Sequence, residues 1–173
     1  MTADPRRRSS DPIELRTVVD DDLSAFFEHQ LDPDARHMAA FTTKDATDRR
    51  AFDESWARIL ADPTVTPRTI VGGGCTLGHI LSYESIDGPE PRTEVSYWIG
   101  REFWGRSVAT RALRAFLESV EIRRPVYARV AEDNLGSRKV LENCGFRRVG
   151  VGEGYAAARD ETITELVYRR GGA

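Results

Sequence analysis

One run of small and cationic residues, Trp104-Gly105-Arg106-Ser107-Val108-Ala109-Thr110, stands where an apolar stretch gives way to a helical pattern. Small residues leave main-chain N–H groups uncovered. The first turn of a helix has N–H donors without intrahelical partners and carries the positive end of the dipole, so it seats a phosphate or pyrophosphate. Arg106 adds a charge-assisted contact to such an anion. The same residues also suit a plain connection with Ser107 as an ordinary N-cap, and the run alone does not separate the two. Three other features invite chemistry but have simpler explanations. Asp20, Asp21 and Asp22 at a helix start cannot all face one metal ion, so they read as capping and charge at the positive dipole end. Gly72-Gly73-Gly74 has no helix after it and reads as a hairpin turn rather than a phosphate loop. Cys75 and Cys144 lie far apart and read as reduced, buried thiols rather than a disulfide framework.

The elements that must position the central turn follow from periodicity. Thr93–Gly100 (TEVSYWIG) ends in aromatic and β-branched residues at a glycine, which is strand chemistry with a breaker. Val108, Ala109, Ala112, Leu113, Phe116, Leu117 and Val120 recur at helical spacing, with Arg111, Arg114 and Glu118 between them. Upstream, Ile13–Val19 alternates as a first strand, and Leu23, Phe26 and Phe27 carry a helix to about Leu31. Asp32–Thr43 reads as a loop holding His37, Met38 and Phe41, either a binding surface or loosely packed core contacts. Lys44–Ala61 reads as a helix stopped by Asp62-Pro63. Strands are expected at Arg68–Val71 and Gly78–Ser85, with a turn at Ile86–Arg92 before the Thr93 strand. Pro125–Val130 is a strand, Asn134 to about Asn143 a short helix with Gly145 as its C′ residue, and Phe146–Val151 and Thr162–Arg169 the last two strands. The resulting order is β-α-α-β-β-β-α-β-α-β-β. Polar, proline-bearing Met1–Pro12 reads as a disordered leader and 13–173 as a single domain.

Three pieces in this order, TEVSYWIG (Thr93–Gly100), FWGRSVATRAL (Phe103–Leu113) and EDNLGSRKVLENCGF (Glu132–Phe146), resemble the GNAT family of acyl-CoA-dependent N-acyltransferases. The likeness is to the Rim-type branch that modifies ribosomal-protein N-termini. It covers the second half of the chain well and the first half loosely. The resemblance implies an α+β fold, a mixed, mostly antiparallel twisted sheet flanked by helices. It implies acetyl-CoA as co-substrate and direct attack of a primary amine on the thioester. The family's cofactor turn runs Gln or Arg, two variable residues, Gly, one variable residue, then Gly or Ala. Gly105, Arg106, Ser107, Val108, Ala109 and Thr110 occupy its place, with Trp104 at the first position, Ser107 at the central glycine and Ala109 at the last. A Cβ at Ser107 narrows the approach of backbone to phosphate and makes left-handed backbone costly; a hydroxyl donor can offset this. Asn134 matches the family's asparagine on the pantetheine arm, and it suits a helix N-cap equally. A main-chain N–H near Trp98 or Ile99 would polarise the carbonyl. The tyrosine that many members use as acid is Leu141 here, and Ser137 takes the place of the serine used by Rim-type relatives. Glu94 is the implied base, with Glu153 and Tyr155 as lesser candidates. The Asp32–Thr43 connection is where acceptor specificity would sit.

The composition of the 173 residues limits the alternatives. Hydrophobic residues make up 40% and charged residues 31%, ordinary for a soluble globular domain. With 25 basic against 28 acidic residues the net charge is −3, which gives no footprint for nucleic acid. No run reaches the length of a membrane span, and the basic N-terminus lacks the apolar segment of a signal peptide. The expectation is a cytoplasmic, metal-free monomer or homodimer acting on an amine-bearing small molecule or a protein N-terminus. A degenerate GNAT domain that binds CoA or a partner without turnover is the second reading. A nucleotide- or phosphometabolite-binding module is a third, and the chain lacks the Gly-Lys-Ser/Thr such modules use.

Overall fold

A computed structural model describes residues 12–86 and 90–171. The expected leader falls, apart from Pro12, outside the described residues, as does the middle of the Ile86–Arg92 turn. The chain runs β1 (Ile13–Arg16), α1 (Asp22–Gln30), α2 (Pro33–Ala39), α3 (Arg49–Ala61), β2 (Thr66–Gly72), β3 (Cys75–Ser85), β4 (Arg92–Ile99), a short 3₁₀ turn (Arg101–Phe103), α4 (Val108–Ser119), β5 (Val126–Ala131), α5 (Leu135–Asn143), β6 (Arg147–Ala156) and β7 (Glu161–Arg170). The seven strands form one sheet in the order β1-β2-β3-β4-β5-β7-β6. All neighbours are antiparallel except β4 and β5, which run parallel. This is the expected α+β architecture.

The central helix forms for the reason its sequence gives. Val108, Ala112, Leu113, Phe116 and Leu117 face the sheet and are buried. Leu113 and Phe116 have no exposed surface at all, and burial of each such side chain stabilises the fold by about 1.5–3 kcal/mol. Ile80, Val95, Ile99, Val126, Ala128 and Val130 meet them from the sheet. A second, smaller cluster of Phe26, Phe52 and Trp56 joins α1 and α3. The α5 helix ends as expected. Gly145 adopts φ 84°, its N–H bonds to the Glu142 carbonyl and the Phe146 N–H to that of Leu141, the paired bonds of a Schellman close.

Three expectations need correction. Asp32–Thr43 is not a plain loop: α2 occupies Pro33–Ala39, with Asp32 accepting from the Ala35 N–H and Pro33 in the first turn. Seven residues are too few for a period to declare itself. The aspartate run does not cap α1 as expected. Asp21 stands at the N-cap without a side-chain bond, whereas Asp22 turns inward to a bidentate pair with Arg16 (2.6 and 2.7 Å) and accepts from Val19 N–H and Thr69 Oγ1. Burial alone would raise the Asp22 carboxyl, but these donors hold it at about 2. The third helix begins at Arg49, not Lys44, because Asp48 accepts from the Ala51 N–H and sets the cap there.

Candidate functional site

The site begins with a failure of pairing. β4 and β5 share only two register pairs, Thr93 with Val126 and Glu94 with Tyr127. Beyond them the strands diverge, and the main chain of β4 faces a gap. In the β3–β4 ladder the Gly100 N–H bonds to the Leu77 carbonyl. Antiparallel alternation therefore turns the Trp98 N–H toward β3 and leaves the Ile99 N–H facing the gap. The Ile99 carbonyl accepts from the Trp104 indole N–H at 2.9 Å, which ties the following turn to the strand end.

That turn delivers α4 to the mouth of the gap. Gly105 has φ 72° and Ser107, the N-cap, φ 56° and ψ 18°. Ser107 thus takes the left-handed backbone that its sequence position made costly, at about 1–2 kcal/mol for a residue with a Cβ. Its side chain makes no capping bond. The first intrahelical bond runs from Arg111 N–H to the Ser107 carbonyl, so the N–H groups of Val108, Ala109 and Thr110 precede the helix's own ladder. A cavity of about 490 Å³ opens over them. Gly105, Ser107, Val108, Ala109, Thr110, Trp98, Ile99, Asn134 and Ser137 all line it, as do Met38 and Ala39 of α2. Arg106, expected beside the anion, is half-buried and is not part of this lining.

Asn134 closes the far end. Its Oδ1 accepts from the Ser137 N–H at 3.0 Å and caps α5, while its Nδ2 donates to the Met38 carbonyl at 3.0 Å. The side chain therefore fixes α2 against α5. Tyr97 was not singled out by its sequence. Its hydroxyl points to the Ser137 carbonyl at 3.5 Å, a long contact, and its ring lines the same cavity. Burial pushes the phenol up, so it stays protonated at neutral pH. Only the fold brings these residues, 40 apart, together.

A second cavity, of about 580 Å³, meets the first at Tyr97, Trp98, Asn134 and Ser137. Met38, Phe41 and Thr42 bound it on one side, and Glu153 and Tyr155 of β6 on another. The expected specificity segment is therefore in place, although His37 contributes only its carbonyl, to Arg159 Nε at 2.8 Å. Phe41 reaches β6 because residue 154 is glycine: a Cβ there would stand 2.7 Å from the phenyl ring. Arg159 also grips Asp133 through two bonds of 2.7 and 3.0 Å, fastening the β6–β7 hairpin over the junction.

Glu94 does not stand where an amine could use it. It is 1% exposed and lines neither cavity. Arg92 Nε donates to one oxygen at 2.9 Å, and Arg129 Nε and Tyr83 OH to the other, each at 3.0 Å. The direct base role is thus corrected: this carboxylate is spent on holding Arg129 and Tyr83, which do line the second cavity. The sequence placed Glu94 on the right face but could not reveal a partner on a different strand. Among the described residues no group of three or more His, Cys, Asp or Glu side chains is arranged to hold a metal ion, and no helix is long and apolar enough to cross a membrane.

Known proteins share this arrangement. The family described as an acetyltransferase (GNAT) domain matches residues 13–147. YdaF of Bacillus subtilis, provisionally named a ribosomal N-acetyltransferase, is 31% identical over 108 residues, 60% of this chain and 58% of its own length. The chain thus spans little more than half of that curated relative. Among solved structures, Mycobacterium smegmatis RimJ in complex with CoA-disulfide superposes with a TM-score of 0.76 at 22% identity, covering 91% of this chain and 80% of RimJ. AAC(6')-Ib in complex with ribostamycin and coenzyme A superposes with a TM-score of 0.71 at 19% identity, covering 91% and 93%. At these identities the structural likeness is one of fold.

Proposed function

Since the chain belongs to the GNAT acetyltransferase family, we propose that it moves an acetyl group from acetyl-CoA to a primary amine. The observation that carries this reading is the open N-terminus of α4 at the mouth of a cavity that runs to Ser137 and Tyr97. The thioester supplies the activated acyl group. Val108, Ala109 and Thr110 offer their N–H groups to the diphosphate, with Gly105 and Ser107 leaving the approach clear. The Ile99 N–H, facing the gap, stabilises the oxygen that gains charge during attack. Asn134 orients the pantetheine end through the α5 cap it already makes.

The amine enters from the second cavity and must lose a proton. An α-amino group, with a reference pKa of about 8, is partly neutral at pH 7 and asks little of a base. Glu153 and Tyr155, which line that cavity, are the groups best placed to take the proton; Glu94 acts through Arg129 and Tyr83 as a positioning residue. The departing thiolate is protonated by Ser137 Oγ or Tyr97 OH at the junction of the two cavities. A thiol with a reference pKa of about 8.5 needs only a weak donor.

RimJ and YdaF carry names tied to ribosomal proteins, and AAC(6')-Ib was solved with an aminoglycoside. Both acceptor kinds bear amines of the required sort. A thiol-release assay with acetyl-CoA over peptides, aminoglycosides, polyamines and amino acid amides tests the reading. Amine-dependent thiol release supports it. CoA binding with no release for any amine would instead favour a domain that holds CoA without turnover, a reading to which the engaged Glu94 lends some weight.

A further inference from the structure

A third cavity, of about 380 Å³, lies on the sheet face that carries α1 and α3. Its walls are aromatic. Phe26, Trp56 and His79 form a triangle with ring centroids 4.8–4.9 Å apart, and Phe52 and Trp98 extend it. His79 and Trp98 are register partners on β3 and β4, so their side chains stand side by side. The cavity shares Thr42 and Trp98 with the second cavity, and Trp98 lines the first as well. One indole therefore separates the aromatic chamber from the place where amine and thioester meet.

Two polar atoms in this wall are unsatisfied. The Trp98 indole Nε1 and the His79 Nδ1 are both buried without a hydrogen-bond partner. Buried polar groups are nearly always paired in native proteins, and an orphan costs about 1–3 kcal/mol. The other indole whose bonding is defined, that of Trp104, is already engaged by the Ile99 carbonyl. Burial, with a smaller contribution from His29, pushes the His79 imidazole down to about 3, so the chamber presents a neutral ring at physiological pH. An apolar, aromatic chamber with an unused indole donor matches a flat side chain that carries its own hydrogen-bond acceptor.

We propose that this chamber is the side-chain subsite of the acceptor: it takes the aromatic side chain borne by the carbon next to the acetylated amine, with an acceptor atom meeting the Trp98 N–H. The proposal deepens the acetyl-transfer reading and takes the identity of the ligand, an α-amine, from it. The specificity it predicts is for bulky aromatic residues with a polar tip over glycine. A hydrophobic pocket of this kind discriminates by roughly 10–200-fold.

The test uses the full chain with acetyl-CoA and three probes: glycinamide, L-phenylalaninamide and L-tyrosinamide. The expected kcat/KM rises by about tenfold or more from glycinamide to phenylalaninamide and further to tyrosinamide. Ser55→Phe, which fills the chamber from α3, brings tyrosinamide down toward the glycinamide value. Equal rates for the three probes would overturn the subsite while leaving acetyl transfer standing. The second readout does not need turnover. The chain has three tryptophans, and Trp98→Phe identifies its indole N–H resonance. With CoA present, tyrosinamide should shift that resonance and glycinamide should not. No shift with tyrosinamide would overturn the subsite whatever the assay shows. A shift without any thiol release would uphold the subsite and count against acetyl transfer.

Discussion

The N-termini of α4 and α5 both border the first cavity, and the chain finishes them in opposite ways. At α5, Asn134 accepts from the Ser137 N–H and donates to Met38, so the end is closed and cross-braced. α2 and α3 are closed similarly, by Asp32 and Asp48. At α4, Ser107 sits in left-handed backbone with no side-chain bond, and the turn before it is glycine and small residues. A chain that caps three of its helices with its own side chains has left the longest run of its catalytic-face N–H groups open. The difference teaches a division of labour. The closed end supplies rigid chemistry at Ser137, and the open end gains its cap only when an anion arrives.

The largest effect should come from closing the open end with the wrong charge. Ala109→Glu places a carboxylate where the diphosphate belongs, and like charges so juxtaposed cost several kcal/mol. Calorimetric CoA affinity should fall by at least about a hundredfold, with the fold retained because Ala109 is only partly buried. Opening the closed end comes next. Asn134→Ala removes a cap worth about 1 kcal/mol and the bond to Met38. The melting temperature should drop by about 2–6 °C, with CoA affinity changing far less than in Ala109→Glu. If Asn134→Ala weakened CoA as strongly, the division of labour would be wrong.

The third effect asks which donor the closed end provides. Ser137→Ala and Tyr97→Phe each leave the cap intact. The one that protonates the thiolate should lower kcat by about tenfold without moving KM for acetyl-CoA, a small effect because the leaving group is weakly basic. Equal, negligible effects in both would remove the acid from the scheme. The smallest effect is at the strained cap. Ser107→Gly relieves left-handed backbone at the expense of a more flexible unfolded chain, so a net gain below about 1 kcal/mol is expected. CoA affinity should hold or improve, since no Cβ then crowds the approach. Weaker binding would mean that the Ser107 hydroxyl is itself a ligand.

What the sequence disclosed divides along the same line. The α4 mouth was legible because its signals are local: a strand ending at Gly100, small residues, then a period that runs from Val108 without a break. The cost of Ser107 in left-handed backbone was legible too, and the structure accepts that cost. Local reasoning gave out where partners are distant. Glu94 looked like an available carboxylate until Arg129, 35 residues on, was seen to hold it. Asp22 looked like part of a cap until Thr69 on β2 was found bonded to it. Tyr97 carried no signal of its own, since only the divergence of β4 from β5 brings it to Ser137. The helix α2 announced itself in Asp32-Pro33, but two residues of start signal did not outweigh a segment too short to show a face.

The central claim is that the uncapped amides of α4 grip a diphosphate. A crystal structure of the chain with coenzyme A measures this directly. Diphosphate oxygens within hydrogen-bond distance of the Val108, Ala109 and Thr110 N–H groups are the result expected. Diphosphate bound elsewhere, with those three amides facing water or a side chain, would contradict it.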